Sequence, residues 1–580
     1  MIVEPDIRVE REPEVDVTFD VIVIGAGFGG LYMLRCLQEL GVNARCYEAG
    51  GDVGGTWYWN RYPGARCDVP SLQYSYSFSE ELEQEWDWSE KYAPQPEILA
   101  YARHVADRFD LRRDIRFDTR VTTARFDEQS NRWRVETDRG DVATAPFVVT
   151  AMGCLSNANV PDFEGIDDFD GPIYHTGKWP HDGVDFSGLK VGVIGTGSSA
   201  IQSIPIIAEQ AEKLTVFQRT PNYSVPAWNE ELDPEYRRKV KEDYPELRAR
   251  ARSRPTGVYF QFDLRKALET PEEERERQYE EYWQRGGLPF LGAFADLLFD
   301  KRANDTIADF ARDKIRALVE DPQTADLLCP DNVFGCKRLC VDTNYYQTYN
   351  RPNVELVDVS KTPIERFTKT GLEVGGKAYD VDAVVCATGF AAMTGAFDKM
   401  HIVGRDGLTL KEKWAAGPRT YLGLTTVGFP NMFMITGPGS PSVLASMIQA
   451  IEQHADWITD CIAHCRAVGV ETIEPTLEEE DAWVEHVNEV AAASLRSTCS
   501  SWYVGANIPG RPRVFMPYIG GFPRYVEKCN DVASDSYTDF VLKGEGMRNR
   551  RPEFRWTKRW RVKPMELSEL EREMRAGPVI

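Results

Sequence analysis

Two short glycine motifs, each set between a β-rich apolar run and a helical pattern, constrain the fold of this chain more than any other feature. They read Gly25-x-Gly27-x-x-Gly30 and Gly195-x-Gly197-x-x-Ala200. The first follows the apolar run 19–24 and precedes leucines at helical spacing, and the second follows Lys190–Ile194. In such a strand–turn–helix unit the glycines form the turn and let the backbone approach a pyrophosphate at the helix N-terminus, and Ala is permitted at the third position. The sequence therefore predicts two dinucleotide-binding units.

The two units differ at the end of their second predicted strand. The run Ala44–Tyr47 ends at Glu48, whose carboxylate suits two ribose hydroxyls and would repel a 2′-phosphate. The run 214–217 leads instead to Arg219 and Thr220, and a guanidinium can grip a phosphate through two hydrogen bonds. One charged hydrogen bond contributes about 1.5–3 kcal/mol, enough for an about 10- to 150-fold preference for NADPH over NADH. We therefore expect NADPH on the second unit, with an unliganded surface arginine as the alternative.

An aromatic, glycine-rich segment follows the first unit. It reads Gly54-Gly55-Thr56-Trp57-Tyr58-Trp59-Asn60-Arg61-Tyr62-Pro63-Gly64-Ala65-Arg66-Cys67-Asp68 and has neither strand nor helix periodicity. A packed loop is the simple interpretation. Aromatic faces that could cover a planar ring, placed after a unit that disfavours a 2′-phosphate, favour a flavin, so we predict FAD on the first unit.

Charge and cysteine content limit the partners and the compartment. A net charge of −23 and a pI near 4.9 argue against nucleic acid and against an anionic membrane surface. No run reaches the roughly 18 apolar residues of a membrane span, and residues 1–15 lack the apolar core of a secretory signal. The twelve cysteines stand mostly among apolar neighbours, and their closest pairs lack metal-ligand spacing. We therefore expect reduced, buried thiols, no metal and a cytoplasmic location.

The order of the remaining patterns predicts that the two units interrupt each other. Residues 230–330 are charged, poor in glycine and helical in spacing, and α/β patterns return from residue 333. Buried strands are predicted at 381–387 and 432–436, and a helix from Ser442. We predict an α/β fold with two Rossmann-like dinucleotide-binding domains, interleaved in sequence, and a helical insertion over a cleft. The predicted segments are 1–155 (FAD-binding domain, first part), 156–229 (linker and NADP-binding domain, first part), 230–332 (helical insertion), 333–385 (NADP-binding domain, second part), 386–542 (FAD-binding domain, second part) and 543–580 (C-terminal tail).

Motifs of other enzyme classes are incomplete or absent in this sequence. Gly371-x-x-x-x-Gly376-Lys377 resembles a phosphate loop, but Ala378 replaces the magnesium-binding Ser/Thr and a strand pattern follows. The chain has no GxSxG of a serine esterase, no HExxH, and no CxxxxC after Gly55 as in a disulfide reductase. With NADPH able to reduce a flavin, and neither a redox disulfide nor metal ligands in view, O2 is the natural electron acceptor.

The stretch between the two glycine motifs carries a family resemblance. It reads Phe169-x-Gly171-x-x-x-His175-x-x-x-Trp179-Pro180 and resembles the fingerprint of the flavin-dependent (type I) Baeyer–Villiger monooxygenases. Residues 57–68, Lys337-Arg338-Leu339 and Trp502-Tyr503-x-Gly505-Ala506-Asn507 also resemble that family. The resemblance covers residues 19–542, is nearest to the phenylacetone monooxygenase branch, and departs from that branch at Cys336 and in the tail.

The resemblance implies an activity. NADPH reduces FAD, and O2 then gives a C4a-peroxyflavin that inserts one oxygen next to a ketone carbonyl to form an ester or lactone, with sulfoxidation as a side activity. Arg338 would stabilise the peroxide and the tetrahedral oxyanion, and Asp68 would orient Arg338. His175 would couple domain rotation rather than transfer a proton, since it lies in the linker. Residues 437–447 would line the substrate cavity, which suggests aryl or bulky ketones.

The resemblance also implies binding residues for each cofactor. Those for FAD are Gly25, Gly27, Phe28, Gly30, Glu48, Thr56, Trp57, Tyr58, Trp59, Asp68, Tyr74, Val121 and Met447. Those for NADP are Gly195, Thr196, Gly197, Ser198, Ser199, Ala200, Arg219, Thr220, Lys337, Arg338 and Trp502. Lys337, Arg219 and Thr220 would grip the 2′-phosphate, and Trp502 would close over the nicotinamide and the substrate.

Two other functions stay open from the sequence. One is a flavin monooxygenase that acts mainly on sulfur or nitrogen and does not require Arg338, and the other is a non-catalytic redox-sensing flavoprotein. For assembly we expect a monomer or weak homo-oligomer. The basic and aromatic residues 548–563 are interpreted as a strap over the chain's own surface or a partner subunit's.

Overall fold

The computed structural model describes residues 12–548 and 555–561. Two five-stranded parallel sheets form its centre, and each carries one glycine motif. The first sheet has the strand order Met432–Met434, Phe147–Thr150, Val21–Ile24, Ala44–Tyr47 and Ile115–Arg116. The second has the order Val354–Asp358, Lys213–Gln218, Lys190–Ile194, Ala383–Cys386 and Ile173–His175. Because the chain leaves the first sheet, builds the second and then returns, the predicted α/β fold with interleaved units is confirmed.

The other described strands form smaller sheets around these two. A mixed five-stranded sheet packs beside the first one and comprises Val17–Thr18, Val142–Ala145, Arg132–Thr137, Val121–Asp127 and His401–Val403. A three-stranded antiparallel sheet and two two-stranded ones comprise Ile364–Thr368, Gly371–Val374 and Lys377–Asp380; Ser224–Pro226 and Cys340–Asp342; and Thr472–Pro475 and Phe540–Lys543.

Helices cover the sheets and make up the insertion. The α-helices are Phe28–Leu40, Thr56–Trp59, Glu80–Glu85, Gln95–Arg108, Ser198–Gln210, Pro234–Glu242, Tyr244–Arg252, Glu272–Arg285, Lys301–Leu318, Pro322–Leu328, Tyr345–Thr348, Gly395–Asp398, Leu410–Lys413, Met447–Val468, Leu477–Ala492 and Phe522–Ser534. The 3₁₀ helices are Ser71–Gln73, Arg112–Asp114, Ile166–Asp168, Thr176–Lys178, Ala267–Glu269, Leu288–Gly292, Arg405–Gly407, Ser442–Leu444, Leu495–Thr498, Trp502–Val504 and Thr557–Trp560. None of the helices in the described part of the chain has the length and apolar character needed to cross a membrane.

The predicted helical insertion shares a hydrophobic core with the segments on either side of it. Helix Lys301–Leu318 places Ala303, Ile307 and Ala311 against aromatic residues that include Phe290 and Phe334. This spacing of four residues aligns the apolar side chains on one face of the helix. The insertion is therefore packed firmly onto the second unit, because the same core includes Tyr223 and Leu339.

Three local predictions differ from the structure. The α-helix expected from Ser442 begins at Met447, after a short 3₁₀ turn and a Ser446 side chain that accepts the Gln449 N–H. The strand expected at 381–387 is shorter, Ala383–Cys386, and its last residue still pairs in the second sheet, so a domain boundary there would fall after Cys386. The strand expected at 432–436 is Met432–Met434, because the backbone at Thr436 takes a positive φ of 56°.

The prediction that all cysteines are reduced is wrong for two of them. Cys336 and Cys499 form a disulfide across 163 residues of sequence. Sequence spacing could not reveal this bond, because it joins the loop before Lys337 to the segment before Trp502. The other ten cysteines are free, and all but Cys329 are buried.

Candidate active site

The turn of the first unit packs so tightly that two of its positions require glycine. Gly25 has a φ of +101°, and a Cβ atom there would lie 2.6 Å from the carbonyl oxygen of Ala151. A Cβ atom at Gly30 would lie 1.8 Å from the carbonyl oxygen of Gly25. These contacts hold the start of helix Phe28–Leu40 directly against the end of its strand.

Glu48 stands at the end of the second strand of this unit, as predicted from its position in the sequence. Its two carboxylate oxygens accept the backbone N–H groups of Ala26 and Gly50 at 2.6 and 2.7 Å. Burial raises the pKa of Glu48, although both hydrogen bonds act in the opposite direction. A carboxylate has about four acceptor positions, so it keeps capacity for two ribose hydroxyls.

The N-termini of both motif helices are open to an anion. Helix Phe28–Leu40 follows Gly27 and helix Ser198–Gln210 follows Gly197; neither has a side-chain cap or an acidic residue in its first turn. Other helices of the chain are capped by side chains, for example by Ser79. A Cβ atom at Gly197 would meet no atom within 4 Å. Free N–H groups beside open space fit the pyrophosphate of a dinucleotide at each site.

The aromatic segment begins with a short helix, Thr56–Trp59, and continues as an irregular loop through residues 60–68. The indole N–H of Trp57 donates to the Tyr74 hydroxyl at 3.1 Å, and the Tyr58 hydroxyl accepts the Gly51 N–H at 2.9 Å. Trp57 and Tyr58 are buried, whereas Thr56 is exposed. The hydrogen bonds fix these rings beside the first unit.

The proposed FAD residues Val121 and Met447 contact two different hydrophobic clusters. The side chain of Val121 is buried in the core of the mixed sheet, so only its backbone could reach a ligand. Met447 is the first residue of helix Met447–Val468 and packs against the cluster that contains Val443 and Tyr503. Trp502 packs against the same cluster, with its ring centroid 4.2 Å from that of Tyr503. Met447 and Trp502, far apart in sequence, therefore meet around one apolar cluster.

Arg338 is fixed by three hydrogen bonds. Its Nε and Nη2 donate to the two carboxylate oxygens of Asp68 at 2.8 and 2.7 Å, and its Nη1 donates to the Val443 carbonyl oxygen at 2.7 Å. About a quarter of each side chain in this pair is exposed. Burial disfavours the charge on Arg338, but Asp68 outweighs it, so the pKa of Arg338 is raised above its usual value. The result is a permanently charged, oriented guanidinium whose edge reaches solvent-accessible space.

Lys337 and Arg219 form a second cationic group, at the second unit. Burial, together with the charge of Arg219, lowers the pKa of Lys337. Neither cation has a carboxylate within ion-pair distance among residues 12–548 and 555–561. The Thr196 hydroxyl donates to the Thr220 carbonyl oxygen at 2.9 Å, which closes the turn beside them. Two neighbouring cations that form no ion pair with a carboxylate fit a doubly charged phosphate.

Of the fingerprint residues, His175 lies in the second sheet, and Phe169, Gly171 and Trp179 lie in the segments before and after its strand. His175 belongs to strand Ile173–His175, where its Nδ1 accepts the Gly177 N–H at 3.0 Å and its Nε2 lies 3.2 Å from the Thr388 hydroxyl. That hydroxyl donates to the Asn159 carbonyl oxygen, so Nε2 carries the proton and donates to Thr388. Burial lowers the pKa of His175 to about 4. His175 is therefore neutral near pH 7 because it is buried, and its role in domain rotation stays a prediction.

The other fingerprint residues are packing residues in the structure. Trp179 is buried between Tyr174 and Phe186, with ring centroids 5.6 and 6.2 Å away. Phe169 packs edge-on against Phe367. A Cβ atom at Gly171 would lie 2.3 Å from the Asp382 carbonyl oxygen, so the chain crosses the sheet edge there without room for a side chain.

Several features of the site could not be predicted from the sequence. The Val443 carbonyl that holds Arg338 is one, and the backbone around it is strained, with φ values of +28° at Ser442 and +63° at Met393. Non-glycine residues rarely adopt such values, and strain of this kind concentrates at functional sites. Another is the contact between the two units, where the Tyr62 hydroxyl donates to the Gln202 side-chain oxygen at 2.8 Å. No local sequence signal marks either feature.

Comparisons with known proteins find flavin-dependent monooxygenases that are similar to this chain. A family model for flavin-binding monooxygenase-like proteins matches residues 19–231. A Baeyer–Villiger monooxygenase from Pseudooceanicola batsensis is 43% identical over 92% of this chain and 98% of its own length. An acetone monooxygenase (methyl acetate-forming) from Gordonia sp. is 42% identical over 90% of this chain and 99% of its own length. The structure of an oxidised steroid monooxygenase bound to NADP is 57% identical with a TM-score of 0.87, covering 91% of this chain and all of that one.

Proposed function

The chain belongs to the Baeyer–Villiger monooxygenases, a group of flavin-binding monooxygenase-like proteins, and from that premise we propose how its residues serve the oxidation of a ketone. The enzyme depends on FAD and NADPH and inserts one atom of O2 next to a ketone carbonyl to give an ester or lactone. When bound, FAD supplies the redox chemistry, since it accepts a hydride from NADPH and passes electrons to O2. The protein supplies binding, orientation and a fixed charge.

For cofactor binding, we assign the two open helix N-termini to the two pyrophosphates. Glu48 would accept hydrogen bonds from the ribose hydroxyls of FAD, because its carboxylate is already fixed by two backbone N–H groups. Arg219 and Lys337 would hold the 2′-phosphate of NADPH, because they form a pair of neighbouring cations. The remaining binding residues predicted from the sequence stay predictions.

The observation that carries the chemical proposal is the fixed Arg338 guanidinium. Asp68 and the Val443 carbonyl hold it in one orientation, and part of it stays accessible. A cation fixed before the reaction stabilises negative charge on oxygen without reorganisation at the moment of reaction. We therefore assign Arg338 to the oxyanion that forms when the ketone carbonyl is attacked, and Asp68 to the orientation of Arg338.

For the substrate, we propose a bulky cyclic ketone. The apolar cluster of Val443, Met447, Trp502 and Tyr503 borders Arg338 and offers hydrophobic and aromatic surface. The 57% identity to a steroid monooxygenase supports the same class. We also propose a cytoplasmic location and a monomeric or weakly oligomeric state.

The test of the Arg338 assignment is the variant Arg338→Ala. We expect NADPH to reduce the bound flavin at nearly the wild-type rate, whereas ester formation falls by at least about 100-fold, as for the loss of an oxyanion-stabilising group. Stopped-flow absorbance measures the first and gas chromatography the second. Arg302→Ala, which removes a highly exposed arginine of the insertion, is the matched control. Unchanged ketone turnover in Arg338→Ala would falsify the assignment.

A panel of bulky ketones, sulfides and amines with NADPH under ¹⁸O2 tests the reaction class. Esters or lactones that gain one labelled oxygen support Baeyer–Villiger oxidation. Labelled sulfoxides or N-oxides without any labelled ester would instead assign a sulfur or nitrogen monooxygenase. NADPH binding without substrate-stimulated O2 consumption would assign a redox-sensing flavoprotein.

A further inference from the structure

Each cysteine of the disulfide Cys336–Cys499 lies close in sequence to residues of the proposed site. Cys336 directly precedes Lys337 and Arg338, and Cys499 lies three residues before Trp502. The two Cα atoms are 6.0 Å apart. The bond therefore joins the segment that carries the two cations to the segment that carries the indole.

The Cys336 side of the bond is held by the helical insertion. The Asn304 side chain accepts the Phe334 N–H at 2.9 Å and donates to the carbonyl oxygens of Phe334 and Leu297. Gly335 then turns the chain with a φ of +76°, and Cys336 is fully buried. The residues before Lys337 are therefore anchored without help from the disulfide.

The Cys499 side is held less continuously. The Leu495 N–H donates to the Leu298 carbonyl oxygen at 2.9 Å, and the Met516 N–H donates to the Tyr503 carbonyl oxygen at 2.9 Å. Between these two points the segment passes Cys499, which is partly exposed and lines a surface cavity of about 340 Å³ together with Arg513. Beyond Trp502 the segment is also held by the fully buried Tyr503, so the disulfide is the covalent anchor of the partly or fully exposed residues 497–500.

We propose that the Cys336–Cys499 disulfide is a positioning element that holds the Trp502 segment against the Lys337–Arg338 segment and so sets the affinity for NADP. Three residues span at most about 10 Å, so the bond keeps Trp502 within that distance of Cys499. A segment ordered before binding costs less entropy when the ligand arrives. This inference rests on the proposed NADP site, because it needs Lys337 and Trp502 to face that ligand.

The same bond can act as a redox-sensitive latch. A thiolate of a dithiol attacks the accessible Cys499 sulfur, and Cys336 leaves as a thiolate that takes up a proton. The second thiol of the reductant then releases Cys499 as a thiol, and the reductant ends as its own disulfide. Two electrons move from the dithiol to the protein. Disulfides in a reducing compartment are typically of this reversible kind.

The test uses FAD-loaded enzyme before and after treatment with dithiothreitol, with mass analysis of alkylated Cys336 and Cys499 to show that the bond is open. We expect the dissociation constant for NADP⁺, measured by fluorescence titration, to rise about three- to tenfold. Tryptic cleavage after Arg513 should become about tenfold faster, because the segment opens more often. The FAD content should stay constant.

Matched variants distinguish the effect of opening this disulfide from any effect of dithiothreitol on other cysteines. Cys499→Ser should bind NADP⁺ as weakly as the reduced enzyme and no longer respond to dithiothreitol. The double variant Cys336→Ser/Cys499→Ser should equal the single one, because both remove one interaction. Cys329→Ser removes a free, partly exposed thiol and should respond to dithiothreitol like the wild type.

Two results overturn the proposal. One is a reduced wild-type enzyme whose NADP⁺ affinity and tryptic rate both stay within about twofold of the oxidised enzyme. The other is aerobically purified enzyme in which both cysteines are alkylated before any reduction. Wild-type enzyme that binds no NADP⁺ would count against the proposed function instead, and the tryptic rate would still decide whether the disulfide holds the segment.

Discussion

At the residue scale, one charge at the end of a strand separates the two nucleotide units. Glu48 ends the second strand of the first unit with its carboxylate fixed by backbone N–H groups, whereas Arg219 follows the equivalent strand of the second unit and stands beside Lys337. A carboxylate repels a 2′-phosphate and a guanidinium attracts it. The difference is visible in the sequence because both positions follow directly from the strand pattern.

For Arg219→Ala we expect kcat/KM for NADPH to fall at least about tenfold, while kcat/KM for NADH changes less than about twofold, since only NADPH carries the phosphate. Steady-state kinetics with both nucleotides measures this. Lys213→Ala removes a positive charge from the far end of the same strand, where Lys213 pairs with Glu355, and is the control. Equal losses for both nucleotides would contradict a role in phosphate binding.

His175 makes the stability of the enzyme depend on pH. Its folded-state pKa of about 4 lies below the ordinary value of 6.5 because the ring is buried. The stabilisation from the neutral ring is therefore complete above pH 6.5 and is lost as the pH falls toward 4, by about 3 kcal/mol in total. Urea unfolding of wild type and His175→Gln between pH 7 and 4 should show the difference in unfolding free energy shrinking by about that amount. A constant difference would show that His175 does not titrate in this way.

At the scale of single elements, the two glycines of the second motif serve different purposes. Gly195 has a φ of +109°, and a Cβ atom there would lie 2.6 Å from the Ala387 carbonyl oxygen; a Cβ atom at Gly197 would meet nothing within 4 Å. The first glycine is required by the fold. The second leaves open space at the helix N-terminus, where a ligand can approach the backbone closely.

We therefore expect Gly195→Ala to lower the unfolding temperature and Gly197→Ala to leave it unchanged while raising KM for NADPH at least about tenfold, because the methyl group occupies the pyrophosphate position. Differential scanning fluorimetry and steady-state kinetics test the pair. A Gly197→Ala enzyme with a normal KM for NADPH would show that the pyrophosphate does not bind at this helix N-terminus.

Residues 555–561, which belong to the predicted strap 548–563, pack against helix Met447–Val468 and stabilise it. The Trp560 indole N–H donates to Asp456 at 2.7 Å, and Arg559 forms ion pairs with Glu452 and Asp456. Trp560 is fully buried. The strap therefore lies over the chain's own surface here; the rest of the predicted strap falls outside the described residues.

For Trp560→Ala we expect a loss of about 3–5 kcal/mol in unfolding free energy, as for other buried tryptophans truncated to alanine. Phe299→Ala, at an aromatic side chain that is 62% exposed, should change it by less than about 0.5 kcal/mol. Urea denaturation provides both values. A loss below about 1 kcal/mol for Trp560→Ala would mean that the strap adds little to the fold.

At the scale of the whole molecule, the sequence predicted what is local and missed what joins distant segments. The glycine motifs, the interleaving and the charge at Arg219 follow from patterns of a few residues. The partner of Arg338 on the protein is 270 residues away at Asp68, and the Val443 carbonyl is 105 residues away. Resemblance to a family supplied the Asp68 pairing, whereas the carbonyl and the disulfide became visible only once the chain was folded.

The anchoring of the insertion limits how this enzyme can be recombined with its relatives. Asn304 fixes the backbone in front of Lys337, and the Leu298 carbonyl holds the residues in front of Cys499. A chimaera that exchanged only residues 230–332 would bring in foreign contacts for both segments. The smallest transferable block is therefore discontinuous: the insertion together with residues 333–338 and 495–502, carried over as one cassette.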